Sequence, residues 1–488
     1  MCVPPDVRVS ELTLDSRQVT PGALFLACKG RTHHGVRFAG EAIARGAQAV
    51  LYESEPGIEA SLPTPPAGVL LAAVPRLGSH VGLIAARFFG ESGQALRIGA
   101  VTGTSGKTTC AWLLAQALQL CGRPAVYLGT LGYGTPQTLT PTANTTPDAV
   151  SLHRLLESAR NQGAGWMGME VSSHAIDQER IAGVRFDVAA FTNLTRDHLD
   201  YHGTMAAYGA TKARLLAWPG LSARIINVDD PSGAQLAAQS SPVPLVITTR
   251  GMPADVVARQ RARLVRAVSV ARDPRGLAIK IDSSWGAGEL TARLVGGFNA
   301  DNVLTVLAML LAWDIPLAAA LAALEQCQAA SGRMEMFGGS GRLPLAIVDY
   351  AHKPDALAKA LAATREHCRG SVRVVFGCGG DRDGGKRAMM GRIAASLADE
   401  VTLTDDNPRN ENPGEIVAQI LEGIAQPGAV QIEHDRELAI RRCLERSSPG
   451  DAVLIAGKGH ETYQIYGSAC RAFSDQAVVR STLETLRS

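Results

Sequence analysis

A chain of 488 residues is too long for one hydrophobic core, and at about 150 residues per domain it points to three. Charged residues make up 19% and nearly cancel to a formal net charge of +2, so no broad basic field exists to hold a nucleic-acid backbone. Nine cysteines, an odd number without a C-x-x-C pair, read as isolated thiols of a reducing, cytoplasmic compartment.

Residues 1–17 lack the apolar core and small-residue cleavage site of a signal peptide. Short apolar strands at 23–27 and 49–52 alternate with a helical pattern at 38–45, and together describe a small N-terminal α/β domain, 1–94. The Pro-rich run 54–68 reads as a surface loop, and the polar turn 90–94 as the boundary.

An apolar strand at 96–101 then runs into Gly103-Thr104-Ser105-Gly106-Lys107-Thr108-Thr109, followed by a helical pattern at 111–120. This is a phosphate-binding loop. Small residues let backbone N–H groups face phosphate oxygens, Lys107 suits the β/γ-phosphates, and the Thr108 hydroxyl suits Mg²⁺. Val101 stands where the full consensus has its first glycine, so the strand–loop–helix context carries the assignment. ATP is the expected nucleotide.

The central domain, 95–332, is expected to be a P-loop ATPase-like doubly wound sheet. Its strands 166–170 and 188–192 end in polar clusters, where open α/β sheets gather their chemistry. Glu170 ends one strand and Asp197-His198 follow the other, positions from which Mg²⁺ could be held with Thr108. A hard cation prefers oxygen, so His198 is the less usual ligand and suits a second ion. Asn193, Arg196, Asp197, His198, Asp200, Tyr201 and His202 crowd one turn, and a helical run then carries Lys212. Such density marks a site without naming its substrate.

Residues 250–275 are basic and locally helical, and read as a solvated face. The apolar stretch 303–324 is broken by Asp314 and Pro316, which favours a buried helix pair over a membrane span. Asn299 and Asn302 have helix-start spacing, open to either capping or a shared ligand.

A break at 331–333 opens the C-terminal domain, 333–488. There, strand-like runs at 345–348, 372–376 and 452–456 alternate with helical patterns, which describes a second, Rossmann-like doubly wound sheet. Asp406-Asn407-Pro408-Arg409 reads alone as a turn, but Arg409 could also clamp a carboxylate through two parallel hydrogen bonds.

The ordered motifs resemble the Mur ligase family, ATP-dependent amide-forming enzymes of peptidoglycan assembly. They are the phosphate loop, Asn144-Thr145-Thr146, Glu170-Val171-Ser172-Ser173-His174, residues 193–203 and Phe298-Asn299-x-x-Asn302. The series continues through Ser331-Gly332-Arg333-Met334-Glu335, Asp349-Tyr350-Ala351-His352-Lys353-Pro354-Asp355, the 406–409 tetrad and Gly457-Lys458-Gly459-His460-Glu461. Within the family the match is to the branch that extends UDP-N-acetylmuramoyl-L-alanyl-D-glutamate by a third residue.

The resemblance implies roles residue by residue. Ser16, in Leu14-Asp15-Ser16-Arg17, would hold UDP; Asn144, Thr145, Thr146, Ser172, Gln178 and Arg180 would hold the muramoyl dipeptide. Asn299, Asn302, Arg333 and Asp349 would join residues 103–109 on ATP. Lys107, Glu170, His198 and Lys212 would be catalytic, with Thr108, Glu170, His198 and Lys212 around two Mg²⁺ ions. Lys212 resembles the family's carbamylated lysine, a CO₂ adduct that turns a cation into an anion.

Arg382, the backbone at Gly457, and Glu461 would join Asp406, Asn407, Pro408 and Arg409 around the incoming amino acid. Lysine lacks the distal carboxylate that Arg409 could clamp, so meso-diaminopimelate is expected. Two departures from the family pattern are Lys353, where Thr is frequent, and Ser105, where Asn is frequent. The expected protein is a cytoplasmic monomer with small-molecule partners, neither bound to nucleic acid nor inserted in a membrane.

Two alternatives compete. Another amide ligase of the superfamily, lysine-adding or folylpolyglutamate synthetase-like, would share the ATP machinery but should lack the 14–17 and 406–409 runs. A nucleotide-switched binding protein would hydrolyse ATP with no small substrate present.

Overall fold

Apolar runs buried on both faces build the interior, as parallel strands covered by helices require. The computed structural model describes residues 7–30, 33–90, 96–251 and 261–487. Two units emerge: Met1–Ala111 with Gly122–Arg224 and Ser241–Pro244, and Trp112–Cys121 with Ile225–Ser240 and Leu245–Ser488. The boundary turn expected at 90–94 lies outside the described residues except for Gly90, as do residues 1–6 of the N-terminal run and 252–260 of the basic segment.

In the first unit, Glu11–Thr13, Ala23–Ala27, Ala49–Glu53 and Leu70–Val74 pair in chain order, all parallel. Helix Leu77–Phe88 packs Leu77, Val81 and Ala85 against Leu12, Leu24 and Leu26 of this sheet. Six further strands follow the order Val188–Phe191, Arg97–Thr102, Trp166–Glu170, Ala125–Gly129, Gly132–Thr135 and Thr138–Thr140. The first four are parallel; the last two fold back antiparallel. The four parallel strands therefore deliver Thr192, Gly103, Glu170 and Thr130 to one edge of the sheet. Helix Met205–Leu216 starts at Thr204, whose hydroxyl accepts from the Ala207 N–H.

In the second unit, Leu245–Thr249 pairs in parallel with Arg263–Asp273, and Gly276–Ser283 and Gly286–Ala292 continue antiparallel. This corrects the helical reading of the basic segment. Its described part is an 11-residue strand, with Val265 and Ala267 buried and Arg263 and Arg272 outward. Period-two alternation and the β-branched Val265, Val268 and Val270 outweigh the charge pattern there. The apolar stretch does form two helices, Phe298–Ala312 and Leu317–Gln326. Among the described residues, no helix is long and apolar enough to cross a membrane.

The second unit also holds a six-stranded sheet in the order Glu335–Gly338, Leu345–Asp349, Ala452–Ala456, Val372–Phe376, Glu400–Leu403 and Gln431–Ile432. All pair in parallel except the first. Leu357 and Met390 pack with Ile347 and Val374 in one core, Ile440 and Val479 with Val348 and Val375 in another, so the sheet is wound on both faces. The eight described cysteines are all free thiols.

Candidate active site

Residues 103–109 leave their strand in a turn that only glycine permits at its first position. Gly103 has φ +146°, and a Cβ there would overlap the Thr192 hydroxyl. The neighbouring strand end ties the loop down. Asn193 accepts from the Thr104 N–H through its carbonyl and from the Ser105 N–H through its side chain, both at 2.9 Å, and Thr192 donates to the Ser105 carbonyl at 2.6 Å.

Lys107 folds back over the loop and donates to the carbonyls of Gly103 and Thr104 at 2.8 and 2.9 Å. Lys212 donates to the same Gly103 carbonyl at 2.7 Å. Tyr208, four residues earlier on the same helix face, lies with its ring centre 4.6 Å from the Lys212 Nζ. Burial, and after it the charge on Lys107, pulls the Lys212 pKa down to about 6. Burial lowers that of Lys107 as well. Burial and the Lys107 charge both favour the neutral amine of Lys212, the form in which a lysine is nucleophilic.

Glu170 is fully buried, and four donors surround its carboxylate. Oε1 accepts from Tyr127 and from the Thr130 N–H (2.8 Å); Oε2 accepts from the hydroxyls of Thr108 (2.9 Å) and Thr130 (3.2 Å). Two oxygens set side by side on Mg²⁺ at about 2.1 Å each stand about 3 Å apart. The Thr108–Glu170 separation has that value, so this pair fits the ion. His198 adopts a left-handed conformation (φ +51°), stands edge-on to His174 at 4.9 Å, and lies 3.5 Å from Asp197. Burial lowers the pKa of His174 and of His202. Among the described residues no three His, Cys, Asp or Glu side chains form a metal cage, and no hydrogen bond joins His198 or Lys212 to the Thr108–Glu170 pair.

The dipeptide candidates form a wall beside Glu170. Thr145 meets Thr130 at 3.1 Å, and Thr146 donates to the Glu170 carbonyl (2.9 Å) while accepting from the Ser172 N–H (3.1 Å). Arg180 donates to the Thr146 carbonyl at 3.0 Å and to Gln178 at 2.9 Å; Gln178 donates to Tyr201 at 3.1 Å. Asn144 touches the wall's edge, its carbonyl accepting from Thr142 at 3.1 Å. Ser16 stands in the four-stranded part, donating to Glu41 at 2.8 Å and lining a cavity of about 580 Å³.

In the second unit, Asn299 and Asn302 are buried in the first turn of Phe298–Ala312. Asn299 donates to the Val295 carbonyl at 2.7 Å, and Asn302 to Asn299 at 2.8 Å. Gly297 occupies the capping position, so neither asparagine serves as the cap. Arg333 lies over the Tyr350 ring at 5.3 Å; Asp349 accepts from the Met334 N–H at 2.8 Å, and burial raises its pKa.

A cavity of about 1020 Å³ opens at the carboxyl ends of the six-stranded sheet, and Arg382, Asp406, Asn407, Arg409, Gly457 and Glu461 all line it. Lys353 lines it too. Pro408 does not; its carbonyl accepts from the Glu411 N–H at 3.1 Å. Glu461 accepts from Asn407 (2.9 Å) and Lys458 (3.0 Å), and burial raises the Asp406 pKa. Arg409 donates to the Gly380 carbonyl at 2.8 Å. Among the described residues neither Arg382 nor Arg409 has an ion-pair partner.

No quoted motif contains Tyr127, Thr130, Tyr208 or Tyr463. Tyr208 stands one helical turn before Lys212 and Thr130 immediately follows a strand, and those were the signals available for them.

Residues 8–87 match the Mur ligase family catalytic domain, 101–310 the Mur ligase middle domain, and 332–459 the Mur ligase glutamate ligase domain. A UDP-N-acetylmuramoyl-L-alanyl-D-glutamate–2,6-diaminopimelate ligase of Alkalilimnicola ehrlichii is 46% identical, across 98% of this chain and 95% of its own. The chain belongs to the Mur ligase family. A relative of the same name from Ectopseudomonas mendocina is 45% identical, across 96% of this chain and 94% of its own. A solved structure of a UDP-N-acetylmuramoyl-L-alanyl-D-glutamate–2,6-diaminopimelate ligase superposes with a TM-score of 0.75 at 34% identity, covering 98% of this chain and 96% of that one. In Mur ligase terms, the phosphate loop, Glu170 and Lys212 fall in the middle domain, and Arg382 to Gly457 of the cavity fall in the glutamate ligase domain.

Proposed function

We propose that this Mur ligase uses ATP to join meso-diaminopimelate to the D-Glu γ-carboxylate of UDP-N-acetylmuramoyl-L-alanyl-D-glutamate, a step of peptidoglycan precursor synthesis. The lining of the large cavity carries the amino-acid assignment. Arg382 and Arg409, without ion-pair partners among the described residues, share it with the acids Asp406 and Glu461. A ligand with both a carboxylate and an ammonium at its far end answers both signs of charge, whereas L-lysine brings no distal carboxylate.

ATP lies with its phosphates on residues 103–109, where Lys107 offsets their charge; the family resemblance adds Asn299, Asn302, Arg333 and Asp349 as nucleotide contacts. A D-Glu γ-carboxylate oxygen attacks the γ-phosphorus, the bond to ADP breaks, and an acyl phosphate forms. The unprotonated amine of diaminopimelate then attacks the acyl carbon and phosphate leaves. Asn144, Thr145, Thr146, Ser172, Gln178 and Arg180 orient the dipeptide, while Ser16 and its cavity hold UDP.

Thr108 and Glu170 would hold one Mg²⁺, with His198 and modified Lys212 serving a second; the ions, when bound, neutralise phosphate charge. Lys212, as a neutral amine, attacks CO₂, forming an N–C bond and releasing a proton. The resulting carbamate places an anion beside Lys107 where two cations would repel. Residues 1–94, 95–332 and 333–488 would then be the UDP, ATP and amino-acid domains of a cytoplasmic monomer.

The test is phosphate release from ATP with the UDP-linked dipeptide present, comparing meso-diaminopimelate, L-lysine and no amino acid. Turnover restricted to meso-diaminopimelate supports the reading. Turnover with L-lysine keeps the ligase and overturns the specificity, and turnover with no amino acid favours a nucleotide switch.

A further inference from the structure

We infer that the hairpin formed by Tyr463–Tyr466 and Ala469–Ala472 is the template that aims Arg409 into the amino-acid cavity, with Gln464 and Tyr466 as its positioning residues. The inference rests on the reading above in which Arg409 binds the incoming amino acid.

Arg409 has φ +53°, a left-handed conformation that a non-glycine residue keeps only where its surroundings impose it. The hairpin grips the peptide on both sides of that residue. The Arg409 N–H donates to the Ile465 carbonyl at 3.1 Å, and the Arg409 carbonyl accepts from the Gly467 N–H at 2.6 Å. A free turn would relax; this one is clamped.

The hairpin is fastened in turn to the residues leading into Arg409. Gln464 is 0% exposed, and its amide donates to the carbonyls of Asp405 and Asp406 at 3.2 and 3.0 Å. The Ile465 N–H donates to the Asn407 side chain at 3.0 Å, and the Tyr466 hydroxyl to Asp405 at 3.1 Å. Arg471 closes the circuit by donating to the Gln464 oxygen at 3.1 Å and lying 4.9 Å from the Tyr466 ring. His434 holds the other Asp405 oxygen at 2.7 Å.

A two-stranded hairpin has little stability of its own, so its parallel bridge to Arg409 through Tyr466 and these contacts set its position. Strand alternation divides the labour. Tyr463 lines the cavity, while Gln464 and Tyr466 are absent from its lining and act through the 405–409 backbone. They are specificity determinants that need not touch the substrate.

The experiment compares wild type with Gln464→Met, which keeps length and removes the amide, and Tyr466→Phe, which removes one hydroxyl. KM for meso-diaminopimelate should rise about tenfold in the first and about threefold in the second, with kcat and KM for ATP unchanged. Backbone hydrogen exchange over residues 405–411 of the ligand-free variants should quicken while the rest of the sheet keeps its protection. Unchanged exchange there, or KM values for both substrates rising together with a lower melting temperature, would overturn the clamp. A wild-type protein that ignores meso-diaminopimelate, yet whose variants exchange faster at 405–411, would overturn the substrate assignment and leave the clamp standing.

Discussion

Lys107 and Lys212 share one acceptor. Their Nζ atoms lie 2.8 and 2.7 Å from the Gly103 carbonyl oxygen, so they are no farther apart than the sum of those distances, 5.5 Å. Burial disfavours the charge on Lys212 and the neighbouring Lys107 ammonium adds repulsion, so that its pKa falls to about 6. An unfolded chain keeps this lysine protonated up to its ordinary value near 10.5. Between about pH 6 and 10.5 the unfolded state therefore binds more protons. Its contribution to stability is complete above that window and is lost as pH falls toward 6, with a slope approaching about 1.4 kcal/mol per pH unit. In CO₂-free buffer, Lys212→Met should flatten the pH dependence of urea unfolding and exceed wild type in stability at pH 7. Parallel curves for the two proteins would show that Lys212 is not the displaced proton site.

The same neutral amine suits reaction with CO₂. With ¹³C-bicarbonate, wild type should show a carbamate carbon resonance that Lys212→Met lacks, and phosphate release should fall in CO₂-depleted buffer and return with bicarbonate. A spectrum without that resonance, together with activity indifferent to bicarbonate, would remove the modification from the mechanism.

Thr108 and Glu170 make a separable prediction because their oxygens are already at the spacing of neighbouring ligands on one ion. Thr108→Val and Lys107→Ala should each lower ligand-dependent phosphate release by about 10³-fold, the scale of losing one preorganised charge-stabilising contact. Glu170→Gln should do the same and also cost about 1–3 kcal/mol of stability, since its amide would face donors that now find an acceptor. Turnover at the wild-type rate in Thr108→Val or Lys107→Ala would refute their assignment.

The chemistry legible in the sequence is the chemistry that is local. The phosphate loop, Glu170 at a strand end and the 406–409 tetrad each sit within a few residues of the pattern that marks them. Contacts between distant segments are not written in any spacing. Gly332 packs so closely on Gly459 and His460 that a Cβ would overlap their backbone, which joins two motifs that read as separate. Lys212 finds Gly103, and Tyr127 and Thr130 find Glu170, only through parallel strand pairing and helix packing. Arg263–Asp273 was obscured for a different reason: its arginines suggested a solvated helix, while the burial of Val265 and Ala267 depends on partner strands that the sequence does not point to.

Arg436 and Asp475 illustrate the same limit and yield the largest expected loss of stability. Neither lies in a motif, yet both are 0% exposed and are joined by two hydrogen bonds, at 2.7 and 2.9 Å. Arg436 opens one helix, Asp475 opens another, and the guanidinium also donates to the Ala456 carbonyl at 3.0 Å, just before Gly457 enters the cavity lining. Removing one partner strands the other charge in a dry site, at a cost of about 3–5 kcal/mol; removing both in favour of apolar side chains is far milder. Asp475→Leu should therefore lower the denaturant midpoint sharply, and the double variant Arg436→Met with Asp475→Leu should recover most of the loss. A double-mutant cycle with no coupling, or a single variant costing under about 1 kcal/mol, would mean that the cavity floor does not depend on this pair.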